Sequence, residues 1–288
     1  MTIWRAIFVT VSFVVILEIF QIIPILLIEV FDLTAEKHLV PIEIISTSLN
    51  LLSFYIYYRL FIKSPLIETN KIRTVHFSSV FLIFFIVVGI ILFNKIFING
   101  YNYIFNHNFT VIKSTQKISE FNRSAYFYLF SSIIAAPIIE EIVFRKFIFM
   151  QLLQKNSLLK AILVSSFCFS IIHFQDLSNL LPTFVSGIFL SVIFYQSKNI
   201  IYPIVAHFLN NVIVSIFAFY NNTIPMYFQE IKFSLLYWLI TLSGLAIVII
   251  LMKVFINKTT RKTVSRILFS RKSENACYLS ALCIAAKL

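Results

Sequence analysis

Glu140 and Glu141 stand side by side inside an apolar run, P-I-I-E-E-I-V-F-R from Pro137 to Arg145. A charged side chain at mid-bilayer costs roughly 2.5–3.5 kcal/mol on insertion scales, so such residues persist when paired, wet or functional. Pro137 suits the first turn of a helix, where its missing N–H is no loss, and a helix is expected to start there. On that helix Glu141 and Arg145 are four apart, share a face and can pair. Glu140 points about 100° away, at ~3.6 residues per turn, without a local counter-charge. An acid so placed is suited to exchange a proton with water, as a general base does. The alternative is a buried ion-pair network that locks two helices, and it fits Glu141 and Arg145 better than Glu140.

Two more polar clusters follow. F-S-I-I-H, Phe169 to His173, closes the next apolar run, and its spacing lets the Phe169 ring pack beside the imidazole. That run is antiparallel to the helix expected from Pro137, so its end lies level with Glu140. A-H-F-L-N-N carries His207, Asn210 and Asn211. His207 and Asn211 share one helical face, a polar stripe that must be turned toward another helix or a wet cavity. Simple counting puts His207 deeper than Glu140 and His173; a tilted, re-entrant or broken span would remove the mismatch.

A carboxylate, two imidazoles and an amide around one cavity can hydrolyse a peptide bond. Glu140 would deprotonate a water held between it and His173, while His207 and Asn211 donate to the developing oxyanion. Alternatively Glu140, His173 and His207 could hold Zn²⁺, although there is no H-E-x-x-H. Spacing does not choose between the two. His38, His76 and His107 fall in loops or at span starts and read as solvated. Glu18 and Glu43 lie in apolar runs without a matching motif.

The elements that position these clusters are membrane helices. Of 288 residues, 59% are hydrophobic and 12% charged, with 33 Phe. A soluble domain is nearer half apolar and a quarter charged, so water is not the main solvent of this surface. A spanning helix needs ~20 mostly apolar residues. Candidates lie near 6–30, 40–62, 75–94, 124–136 running into 137–154, 159–174, 181–196, 200–219 and 233–256. The expected fold is all-α, a polytopic transmembrane helical bundle of about eight spans. The first reads as an uncleaved span, interrupted by Glu18 and without a small-residue cleavage site. The polar stretch 99–123 reads as an extramembrane loop.

The net charge of +12 is explained by basic loops against anionic lipid rather than by nucleic acid. With alternating spans, most Lys and Arg fall on one side, the side of both termini, which is therefore cytoplasmic. The basic stretch 253–272 holds no acid and reads as a stop-transfer flank. Cys168, Cys277 and Cys283 form no zinc or disulfide framework. The expected organisation is N-terminal helices and loop over 1–124, a catalytic core over 125–220, a last span over 221–256 and a basic tail over 257–288.

The three clusters, in this order on successive spans, resemble the CPBP family (CAAX proteases and bacteriocin-processing enzymes, also called Abi proteins). Its pattern of E-E-x-x-x-R, F-x-x-x-H and H-x-x-x-N or H-x-x-x-D is filled by Glu140-Glu141-x-x-x-Arg145, Phe169-x-x-x-His173 and His207-x-x-x-Asn211. The resemblance covers about 125–220. It implies an eight-helix intramembrane endopeptidase acting on membrane-associated peptides or proteins. Glu140 would be its base, His173 the partner of that base, and His207 and Asn211 the oxyanion donors. Glu141 and Arg145 would support the site. Both metal-dependent and metal-free mechanisms are proposed for the family, so zinc stays open. A composition heavy in Ile, Asn, Lys and Phe points to a bacterial plasma membrane and against prenylated substrates. Two rival readings remain: a non-catalytic scaffold or bacteriocin self-immunity protein of the same fold, and an ion-coupled transporter, for which no inverted repeat speaks.

Overall fold

The computed structural model describes residues 1–31, 35–62, 74–105, 130–219, 227, 228 and 230–259, with the side chains of 35–40, 43, 218 and 219 left aside. The tail with Cys277 and Cys283, the side chain of Glu43, and His38 and His107 lie outside what is described. Among the described residues every regular element is helical. Helix α1 is Ile3–Val30 and α2 is Ala35–Tyr57, which ends in the π turn Tyr58–Ile62. Helix α3 is Phe77–Phe105. Helix α4 covers 130–153, and α5 is Leu158–Ile171. Helix α6 is Leu180–Ser197, led by the 3₁₀ turn Leu177–Asn179; α7 is Ile201–Phe219 and α8 Leu235–Thr259.

These eight helices match the expected all-α membrane bundle. Four of them, Ile3–Val30, Phe77–Phe105, Leu177–Ser197 and Leu235–Thr259, are long and apolar enough to cross a bilayer by length and composition alone, and α5 and α7 are shorter apolar helices. Helix α1 exposes Trp4, Phe8, Val15, Ile19 and Ile22, a face that needs lipid as its solvent. The protein is a multi-pass membrane protein.

Two expectations are corrected. The third span does not end at 94: α3 continues to Phe105, so the first part of the presumed loop 99–123 is helical. Nor does a helix start at Pro137. Residues 130–153 form one continuous helix made of π turn Phe130–Ala135, α turn Ala136–Glu141, π stretch Ile142–Phe149 and α turn Met150–Leu153. The wider π register gives the missing proline N–H a place inside the helix, because the preceding carbonyls find donors one residue further on. Glu140 is therefore well inside its span, and His207 needs no re-entrant loop to reach it.

Packing follows membrane rules, in which small residues let backbones approach closely. Gly89 of α3 and Gly244 of α8 face each other. A Cβ built on Gly244 would lie 2.7 Å from the Gly89 carbonyl oxygen and 2.8 Å from Leu92 Cβ. At the α5–α6 contact, a Cβ on Gly187 would lie 3.0 Å from Ser166 Cβ. Polar side chains add ties between helices. The Gln21 side chain of α1 bonds Asn50 and Ser46 of α2. Gln175, just past α5, donates to Glu18 at 2.6 Å, which gives that acid a partner. The backbone N–H of His76 donates to the Tyr202 hydroxyl at 3.1 Å.

Gly244→Val is expected to push α8 off α3 and lower the thermal unfolding midpoint in detergent, at a cost of about 1–3 kcal/mol for overpacking. Gly100→Val, where an added Cβ meets nothing within 4 Å, should leave the midpoint nearly unchanged.

Candidate active site

Helices α4, α5 and α7 carry the motif residues, and α3 and α6 complete the cavity wall. Helix α4 carries Glu140, Glu141 and Arg145, all at the junction where its α turn passes into the π stretch. Arg145 and Glu141 are fully buried, with Arg145 Nε 3.1 Å from Glu141 Oε2. The two atoms are close enough for an ion pair but not aligned for a hydrogen bond. The guanidinium is held in two further ways. Its Nη1 donates to Ser165 Oγ of α5 at 3.4 Å, and its Cζ sits 4.7 Å above the centre of the Phe169 ring. A desolvated cation over an aromatic face gains ~2 kcal/mol or more, which matters here because Nη2 has no hydrogen-bond partner. Ser165 donates in turn to the Phe144 carbonyl at 2.8 Å.

Glu141 also faces α7: its Oε1 lies 3.1 Å from His207 Nδ1. A carboxylate only accepts, so Nδ1 of His207 carries the proton and donates. The other ring nitrogen, Nε2, lies 3.9 Å from Glu140 Oε2. That separation exceeds hydrogen-bond length. The Glu140 side chain is 16% exposed, and its Oε2 is buried with no hydrogen-bond partner among the described residues. Two carboxylates and one guanidinium leave a unit of negative charge, which a doubly protonated His207 would balance.

Phe169 is the hub. Its ring centre lies 5.3 Å from that of His173, 5.6 Å from that of His207 and 5.5 Å from that of Phe144. The stack continues from Phe144 to Phe13 of α1, and from Phe13 to Tyr57 of α2. His173 lies in the turn after α5. Its Nδ1 is 3.1 Å from the Phe169 carbonyl oxygen. A carbonyl cannot donate, so this contact places the proton on Nδ1 and leaves Nε2 as an acceptor.

Phe169, His173, His207 and Asn211 line one cavity of about 270 Å³, whose remaining wall includes Val87, Ile90, Leu190 and Ile193. Asn211 Nδ2 donates to the Ser132 carbonyl at 2.8 Å, and its Oδ1 accepts from Asn210 at 3.1 Å. The amide is thus fixed, with one N–H still uncommitted. Glu140 touches the group through His207 and is not part of the cavity lining; its contact is with His207 rather than His173.

Among the described residues no three His, Cys, Asp or Glu side chains converge as a metal-binding set. His207 uses Nδ1 on Glu141, and Glu141 is already committed to Arg145. The side chains of Glu140, His173 and His207 are not gathered as three ligands among the described residues, and no step is routed through a metal. Three contributors were not singled out from the sequence. Ser165 is four residues before Phe169, on the same helical face. Asn94 and Lys95 interrupt the apolar run of α3 and line the cavity.

Residues 122–213 match the family described as type II CAAX prenyl endopeptidase Rce1-like. Among curated proteins, the chain is 36% identical over 104 residues to the putative membrane peptidase YdiL of Bacillus subtilis, covering 36% of this chain and 42% of that protein. It is 32% identical over 117 residues to the membrane-embedded CAAX protease MroQ of Staphylococcus aureus, covering 38% of this chain and 47% of that one. The similarity to CAAX-type membrane peptidases is thus carried by this segment. The chain spans less than half the length of either curated relative, and no solved structure matches it. Glu140, Glu141, Arg145, Phe169, His173, His207 and Asn211 all fall inside the matched segment, whereas Asn94 and Lys95 fall outside it.

The buried pair generates a stability prediction. Glu141→Gln leaves the Arg145 guanidinium uncompensated and should cost about 3–5 kcal/mol. The readout is the unfolding midpoint in detergent. Glu140→Gln removes a buried acid that no donor satisfies and should leave that midpoint at or slightly above wild type.

Proposed function

We propose that this protein is an intramembrane endopeptidase that hydrolyses peptide bonds of membrane-associated peptides or proteins with a glutamate-activated water. The observation that carries the reading is the buried Glu140 Oε2, with no protein hydrogen-bond donor, 3.9 Å from His207 Nε2. A polar contact of that length is one a water spans, with a hydrogen bond of ~2.8 Å to each side. The names of the relatives, a membrane peptidase and a CAAX protease, point the same way.

In this mechanism Glu140 accepts a proton as water attacks the carbonyl carbon of the substrate. His173, whose Nε2 is an acceptor, orients that water from the cavity side. The carbonyl oxygen becomes an oxyanion and takes hydrogen bonds from the remaining N–H of Asn211 and from His207 Nε2–H, which the attacking water has left. The C–N bond then breaks, and the proton held by Glu140 passes to the leaving amine. Glu141 and Arg145 hold His207 in place; Phe169 sets the distance between the two imidazoles. The protein would lie in a bacterial plasma membrane with both termini cytoplasmic, as the distribution of Lys and Arg suggests.

The test compares the membrane peptidomes of cells carrying wild type, Glu140→Gln and His173→Ala. Products that depend on the wild-type protein should fall by roughly 10²–10⁴-fold in both variants, the usual weight of a general base, at normal membrane levels of the protein. If both variants insert normally and release the same products as wild type, the chain is a scaffold or immunity protein of the same fold.

A further inference from the structure

Lys95 belongs to none of the three motifs, yet it lines the same cavity as His173, His207 and Asn211. It lies ten residues before the end of α3 at Phe105, which is ~15 Å at 1.5 Å per residue. A lysine that only snorkels to headgroups aims its amine outward along lipid. Lys95 instead turns into the bundle. Its Nζ lies 6.0 Å from the centre of the Phe228 ring, a residue only 5% exposed. The Lys95 carbonyl is pinned by the Tyr237 hydroxyl at 3.0 Å. Among the described residues no carboxylate pairs with it; the salt bridges are those of Arg145 and His207.

The adjacent residue adds an independent observation. Asn94 is 7% exposed, and its Nδ2 donates to the Pro182 carbonyl and to Ser186 Oγ, both at 3.2 Å. The Pro182 carbonyl can only accept, so the orientation of the amide is fixed. Its Oδ1 is left buried without a donor. Both residues line one cavity: among the described residues Lys95 is a cation without a counter-charge, and Asn94, bonded to α6, offers an acceptor without a donor. Both lie beside the apolar side chains Val87, Ile90 and Ile91.

We infer that Lys95 and Asn94 form a substrate-selecting subsite that binds a carboxylate of the peptide on Lys95 and a neighbouring peptide N–H on Asn94. This inference rests on the endopeptidase reading of the same cavity. An ammonium in an apolar wall makes a charge-assisted bond with an anion that is stronger than with a neutral group. A peptide supplies a carboxylate from its C-terminus or from an Asp or Glu side chain, with a backbone N–H close by in either case.

The test is a binding measurement, which does not require cleavage. The probes are acetyl-Leu-Phe-Leu-Phe with a free carboxyl terminus, the same peptide as its C-terminal amide, and the amide with Asp as its third residue, acetyl-Leu-Phe-Asp-Phe amide. Affinity for detergent-solubilised full chain is followed by thermophoresis. Wild type should bind at least one carboxylate peptide about tenfold more tightly than the neutral amide. The preference should vanish in Lys95→Met, persist in Lys95→Arg and reverse toward the neutral amide in Lys95→Glu. Which carboxylate peptide gains identifies the source. Asn94→Leu should weaken all three peptides alike. Equal binding of all three by wild type, or a preference that survives in Lys95→Met, overturns the inference. A peptidome in which Glu140→Gln releases the same products as wild type, with the preference intact, would instead count against the endopeptidase reading alone.

Discussion

A guanidinium with no exposed surface cannot be left alone in a membrane bundle, and the geometry around Arg145 follows from that constraint. Its counter-ion, Glu141, comes from one turn earlier on the same helix. Ser165 supplies an oxygen from α5, and Phe169 supplies a ring face. Each of these partners carries a second duty: Glu141 grips His207, and Phe169 packs against both imidazoles. Satisfying one buried charge thereby fixes the relative positions of α4, α5 and α7. The pair is an ion-pair lock, and the lock orients the residues next to it.

Glu140 differs from Glu141 because of helix rotation. One residue, about 100°, separates an acid with two cationic or donor contacts from an acid with none at hydrogen-bond distance. Adjacent carboxylates in one helix thus meet different surroundings, one paired and one with a buried oxygen that no described donor reaches. The π stretch Ile142–Phe149 that follows widens the helix where these residues turn inward, a place where π segments often serve a site.

Much of the site was legible because it is written in steps of four residues. Glu141 with Arg145 and Phe169 with His173 were read as neighbours from spacing alone, and both pairs are in contact. The bundle class followed from apolar content and run length. What spacing did not reveal depends on contacts between helices. That His207 rather than His173 sits beside Glu140 depends on how α7 is rotated against α4. Ser165 and Asn94 are ordinary polar residues until a buried cation or a cavity lies beside them. The apparent depth mismatch of His207 came from taking Pro137 as a helix start. A proline carried through a π turn leaves no break that composition could signal.

The close approach of Gly89 to Gly244 has a consequence for how such a protein can diversify. It ties α3 to α8, and neither helix lies within the stretch that matches the family. Yet α3 supplies Val87, Ile90, Asn94 and Lys95 to the chamber whose opposite side holds the imidazoles. On the proposed reading, reaction machinery and selectivity wall are therefore separable inheritances: substitutions along one outer helix would retune what is accepted while the inner lock stays untouched.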